Sequence, residues 1–195
     1  MISFIIKLPI KLYYFFKLKC FSIFSFVDRP LRIDGSRNIV IGKNVVIQYR
    51  TWLAALPLTG EKKCELIIKD GAIIGHFNHI YATKSIVIEK NVLTADKVYI
   101  SDNLHDYSEP NLPIKVQKII QKDEVVLGEG SWIGENVSII GASVGKNSVI
   151  GANSVVTHSI PDYCVAAGIP AKIIKRYNFD TKQWERTNPQ GAFLK

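Results

Sequence analysis

From residue 39 onward the apolar positions of this chain recur every six residues. Aliphatic side chains fall at Ile41 and Ile47, at Ile68, Ile74 and Ile80, and at Ile88 and Ile100 with Thr94 between them. The series resumes at Leu127, Ile133 and Ile139 and runs on through Val144, Ile150 and Val156, with one short step of five from Ile139 to Val144. A period of six matches neither an amphipathic helix nor a single long strand. It matches a triangular prism of short strands, in which each anchor points to the axis and stacks on the anchors of the coils above and below. The Gly, Asn and Asp residues at fixed offsets from the anchors predict the corners, since those types enter φ > 0 at least cost. Fourteen anchors correspond to between four and five coils. No coil buries its anchors alone, so stability is expected from nearest-neighbour stacking.

The array is interrupted at 51–65 and 102–123, and insertions in solenoids often carry the binding work. The predicted organisation is an apolar, basic helical segment at 1–30, the prism at 31–175, and a tail at 176–195. In the first segment no uncharged run reaches the ~18 residues of a spanning helix, and no small-residue cleavage site follows an unbroken apolar stretch. Lys11, Lys17 and Lys19 would spread over roughly a 200° arc of a helix, with Leu12 and Phe16 on the other side. That pattern suits an interfacial helix on an anionic membrane through residues 1–27, or equally a helix packed on its own domain or on a neighbouring subunit.

The net charge of +8 sits at the two ends, while the 140 residues between carry 14 charges of each sign. A nucleic-acid reader places its excess on the folded face, so nucleic acid is not expected as a partner. Three widely spaced cysteines without a CxxC pair give neither a disulfide framework nor a zinc knuckle, which points to reduced thiols in the cytoplasm.

The rhythm of IVIGKNVVI, AIIGHFNHI, IVIEKNVLT and SVGKNSVIGANSVV resembles the hexapeptide-repeat acyltransferase superfamily over residues 38–175. The resemblance implies a left-handed parallel β-helix; the hand comes from the family, because parallel crossovers are ordinarily right-handed. It further implies a homotrimer with sites between adjacent prisms and acetyl-CoA as co-substrate. The segment LTADKVYISDNLHDYSEP looks like the part of the galactoside, maltose and nodulation-factor O-acetyltransferases that carries their catalytic histidine, and this role falls on His105. A histidine titrating near pH 6.5 suits removal of a proton from an attacking hydroxyl. Asp102, Asp106 and Glu109 are the carboxylates near enough in sequence to orient the imidazole, and Asp102 is also a candidate for acceptor binding.

By the same resemblance Asn78 would bind the acceptor, Trp132 would line the pantetheine channel, and backbone amides at Gly134 and Glu135 would meet the thioester. Ala152 and Thr157 would lie farther along the groove. Lys172 and Lys175, with Arg176, would meet the phosphates, as a basic cluster should. The acceptor implied is a sugar or a lipid-linked glycan, handled in the cytoplasm or at the inner membrane face. Two other readings stay open at this point. In one, His76, His79 and His105 bind zinc as in the gamma-class carbonic anhydrases; in the other, the prism is a non-catalytic scaffold.

Overall fold

The computed structural model describes residues 8–194. The chain winds into a three-sided left-handed β-helix whose faces are parallel sheets. The first face holds Cys20–Phe21, Ile39–Ile41, Glu65–Ile68, Ser85–Ile88 and Val125–Leu127. The second holds Phe26–Val27, Val46–Ile47, Ile73–Ile74, Leu93–Thr94, Trp132–Ile133, Val149–Ile150 and Cys164–Gly168. The third holds Arg32–Asp34, Trp52–Ala55, His79–Ala82, Tyr99–Ser101, Ser138–Ile140 and Val155–Val156.

The anchors stack in register, as the period requires. Ile41, Ile68, Ile88 and Leu127 form one column, and Ile47, Ile74, Thr94, Ile133 and Ile150 a second. Leu53, Ile80, Ile100, Ile139 and Val156 form the third. All are buried. Each fully buried aliphatic side chain contributes about 1.5–3 kcal/mol relative to exposure. At the corners Asn44, Asn91, Asn136, Asn147 and Asn153 adopt φ between 48° and 59°, a conformation that costs most other L-residues about 1–2 kcal/mol.

Four boundaries differ from those expected of the sequence. The prism begins at Cys20, not at 31: Phe21 stacks beneath Ile41, Val27 beneath Ile47 and Ile33 beneath Leu53. Among the described residues the helix therefore covers Leu8–Lys17 and ends well short of residue 30, while the part of the expected helical segment at 1–7 lies outside the described residues. The helix closes the open end of the prism by placing Tyr14 and Leu18 in the common core. The first insertion is also shorter, because Trp52–Ala55 is a strand of the third face and only the stretch after it leaves the coil. At the other end, Ala171–Asn178 and Gln183–Arg186 extend the second face as antiparallel strands, so much of the expected tail is sheet.

Lys11 turns inward instead of lying on a solvated arc. Its ammonium donates to the Ile23 carbonyl at 2.8 Å. Among the described residues no helix is long and apolar enough to cross a membrane. Cys64 is buried, and burial pushes its thiol up to about 12, which makes it an inert core thiol.

Ile100→Ala should cost roughly 2–5 kcal/mol, since the anchor lies between Ile80 and Ile139 and leaves a cavity. Val126→Ala, on the outer side of the first face, should cost less than about 1 kcal/mol. Denaturant unfolding of the two variants measures the contrast.

Candidate active site

The second insertion begins as a hairpin, with Asn103–His105 antiparallel to Ile119–Gln121 and His105 opposite Ile119. It leaves the prism at the corner between the third and first faces. Its root is clamped by Asp102, which is fully buried. One carboxylate oxygen accepts from the Thr83 N–H at 2.8 Å, the Thr83 hydroxyl at 2.9 Å and the Asn103 side-chain amide at 3.0 Å. The other accepts from the N–H groups of Lys84 at 2.8 Å and Ser85 at 2.9 Å. Gln121 completes the clamp: its amide donates to the Asp102 carbonyl, and its oxygen accepts from Thr59 and Thr83. The imidazole of His105 stands exposed on this rigid base.

Asp102 thus holds the hairpin, and its carboxylate is not available to an acceptor or to the His105 ring. Asp106 accepts from the Ser108 N–H, which holds its carboxyl below the usual range. Glu109 accepts from Asn111. None of the three candidate carboxylates orients the imidazole within one chain. Asn78 is also engaged. It is buried, donates to the Thr94 hydroxyl and Ala95 carbonyl, and accepts from the Val98 N–H at 2.8 Å. Its side chain ties two coils together at a corner and presents no polar atom to solvent.

The residues expected to meet the donor lie elsewhere. Trp132 is half exposed on the second face, in one outward row with Ile73 and Leu93 below it and Val149 and Val165 above. Lys175 pairs with Val165 and Arg186 pairs with Lys175, so the row ends in cations. Three strand spacings separate Trp132 from Lys175, about 14 Å. Lys172 lies on the same extension, opposite Ala167, and a cavity of about 720 Å³ opens between this strand and the C-terminal residues.

At the corner between the second and third faces, Gly134 permits a close approach, since a Cβ there would sit 2.7 Å from the Ala152 nitrogen. Its N–H is engaged by the Ile150 carbonyl at 2.9 Å, so the thioester contact expected of it is not available. Glu135 is different. At the same edge the His76 N–H donates to Asp96 of the coil above, as the N–H groups of Lys43 and Lys146 at the first-to-second edge donate to Asp70 and Asp162. Above Glu135 the coil supplies Ala152, which has no acceptor. A cavity of about 400 Å³ lined by Lys97, Glu135, Asn136, Ala152 and Asn153 opens at this corner.

Within one chain these two sets are separate. Lys97 and Asp102 bound the third face, and the five residue steps between them span roughly 17 Å. His105 belongs to one edge, with Thr157 and His158 a coil or two above it, and Glu135 and Ala152 belong to the other. His76 contacts Asp96 and His79 stacks on Trp52. Among the described residues no group of His, Cys, Asp or Glu is gathered to hold a metal ion.

A sequence profile described as the hexapeptide repeat of succinyl-transferase matches residues 124–158. WbbJ of Escherichia coli (strain K12), assigned by name to lipopolysaccharide biosynthesis as an O-acetyl transferase, is 37% identical over 164 residues, covering 80% of each chain. The chain belongs to the hexapeptide-repeat acetyltransferase family. Two solved structures share its fold. AntD, an N-acyltransferase from Bacillus cereus in complex with dTDP and 3-hydroxybutyryl-CoA, aligns with a TM-score of 0.69 at 18% identity over 85% of this chain and 87% of AntD. The hexapeptide-repeat acetyltransferase VCA0836 of Vibrio cholerae, complexed with acetyl-CoA, aligns with a TM-score of 0.58 at 19% identity over 88% of this chain and 78% of its own.

On the third face of this acetyltransferase, His79 lies flat on Trp52 with ring centroids 4.1 Å apart, and Tyr99 meets it edge-on at 5.3 Å. Desolvation by burial lowers its pKa, and its Nε2 is buried without a hydrogen-bond partner. The unfolded chain takes up a proton at this residue near pH 6.5, while the native chain resists until the pH is lower. Stability from this residue is therefore fully present above about 6.5 and is lost as the pH falls below it. His79→Phe should flatten that part of the stability-against-pH curve, as followed by thermal unfolding between neutral and mildly acidic pH.

Asp102→Ala should cost about 3 kcal/mol or more, because it orphans three backbone N–H groups as well as two side-chain donors. Asp102→Asn should also destabilise, since either orientation of the amide turns its NH₂ toward backbone donors. Thermal unfolding together with proteolysis in the hairpin at 103–121 checks both.

Proposed function

We propose that this protein transfers an acetyl group from acetyl-CoA to a hydroxyl of a sugar or glycan acceptor, in a site formed between neighbouring copies of a homotrimer, with His105 as the general base. The observation that carries the reading is the exposed imidazole of His105 on a hairpin whose root is fixed by Asp102. Such a group is positioned, open to an acceptor, and not committed to the fold.

In the reaction the acceptor oxygen attacks the thioester carbonyl carbon while His105 takes its proton. The carbonyl oxygen gathers negative charge, and a preorganised N–H donor lowers the barrier at that moment. The Glu135 amide, which has no acceptor of the kind Asp96 gives His76 and opens on the corner cavity, is the group we assign to it. The C–S bond then breaks, the imidazolium returns the proton to the departing thiolate, and an acetyl ester and free CoA result. No covalent enzyme intermediate is required. Trp132 and the apolar row would lie along the pantetheine arm, and Lys172, Lys175 and Arg176 would meet the phosphates as charge-assisted donors.

Two copies are needed because base and donor-side groups lie on opposite edges of the third face. Rotating one copy about a threefold axis, with the third faces turned inward, brings one copy's second-to-third corner against the next copy's third-to-first corner. The hydroxyl acceptor and its glycan nature are supported by the naming of WbbJ, and acetyl-CoA as donor by VCA0836. A cytoplasmic setting follows from that donor and from free thiols at Cys20, Cys64 and Cys164.

His105→Ala should lower turnover by about 10²-fold or more in a thiol-release assay, with acetyl-CoA affinity unchanged by calorimetry. Unaltered turnover would remove the base assignment. Co-expression of His105→Ala chains with Trp132→Ala chains should recover part of the activity that each variant lacks alone. No recovery in mixed oligomers would place both groups in one chain's site.

A further inference from the structure

The helix Leu8–Lys17 is turned the wrong way for a helix that serves only its own core. Its inward stripe is Lys11, Tyr14 and the following Leu18, while Leu12, Tyr13, Phe15 and Phe16 face out, with Phe16 69% exposed. The bond from Lys11 to the Ile23 carbonyl holds the first corner of the prism against this helix, and Ile23 and Phe24 are exposed there too, Phe24 at 65%. The two elements together make an aromatic and aliphatic patch on one end of the molecule. A helix that is apolar on both sides normally has both sides covered.

The charge around the patch indicates the cover. The acids at this end are neutralised: Asp28 by Arg29 at 3.0 Å, and Glu65 by Lys19 at 3.7 Å. Lys17, on the helix itself, has no acidic partner among the described residues and donates to the Tyr13 hydroxyl at 2.7 Å. Apolar side chains, a phenol and an unneutralised lysine on one helix face match the boundary between the headgroups and acyl chains of an anionic bilayer.

We infer that this end of the prism docks on a membrane surface containing anionic lipids, through Leu12, Phe15, Phe16 and Phe24 at the acyl boundary with Lys17 among the headgroups. The inference rests on the trimer reading only for valency. A threefold axis parallel to the prisms would set all three capped ends on the same side, and three weak contacts then act as one strong one. A lipid-carried acceptor would thereby be held beside the site.

The test is co-sedimentation of the full chain with vesicles of phosphatidylcholine containing about a quarter phosphatidylglycerol, against vesicles of phosphatidylcholine alone. The protein should bind the anionic vesicles and lose binding in high salt. Phe16→Ser with Phe24→Ser should reduce bound protein by roughly tenfold or more, and separately Lys17→Glu by roughly fivefold or more. Calorimetric acetyl-CoA binding should persist in both variants, which separates this proposal from the enzymatic one. Absence of vesicle binding by the unmodified chain would overturn the proposal. So would a smaller oligomer for the Phe16→Ser, Phe24→Ser variant in sedimentation velocity, because a second copy would then be the occupant of the patch.

Discussion

The aliphatic side chains that pile along the axis can touch their neighbours only while successive coils stay in register. A coil that gained or lost one residue would turn a strand's anchors outward, because side chains alternate along a strand. The columns of Ile, Leu and Val therefore fix the length of each side, the position of each corner and the identity of each outward residue. Chain that cannot hold the period must leave the prism at a corner, and both insertions begin near the edge between the third and first faces. His105 is at the end of such a departure, and its position follows from the core beneath it.

The same constraint decides which polar residues have work outside the fold. Neighbouring coils lie only about 4.8 Å apart, so corner backbone groups need partners in the next coil. Asn78 and Asp102 supply them. From sequence, a buried Asn or Asp beside a candidate base reads like a substrate ligand, since residue type does not reveal which way a corner side chain points. Three corners carry an aspartate above them, Asp70, Asp96 and Asp162, and the N–H of Glu135, beneath Ala152, has no such acceptor.

Where the period is carried by Ile, Val and Leu, the sequence and the structure agree anchor by anchor. The agreement fails in the first coil. Phe21, Val27 and Ile33 are six apart and occupy the three columns. They lie in a run so rich in aromatic and basic residues that a helical pattern masks the six-residue one. At Trp52–Ala55 the failure has another cause. Trp, Leu and Ala are acceptable in a strand, but no Gly or Asn marks the corner after them, so the coil looked broken four residues too soon. The antiparallel strands after Gly168 carry no period at all, and their place depends on pairing with the last coil.

The third face is where these threads meet. It is about 17 Å wide between its corners, with the proposed base at one edge and the corner proposed for the donor at the other. Along it run Trp52 and His79, stacked face to face, with Tyr99 meeting His79 edge-on. A base and a thioester held that far apart cannot react, yet the face between them is apolar enough to be covered. The proposed trimer, covering it with two further copies about a threefold axis, would serve both needs at once: it would bring unlike edges together and remove the aromatic row from water. In that arrangement His79 would be enclosed by three chains, and its neutral form would be favoured further. The reacting geometry and the stability of the assembly would then rest on the same face.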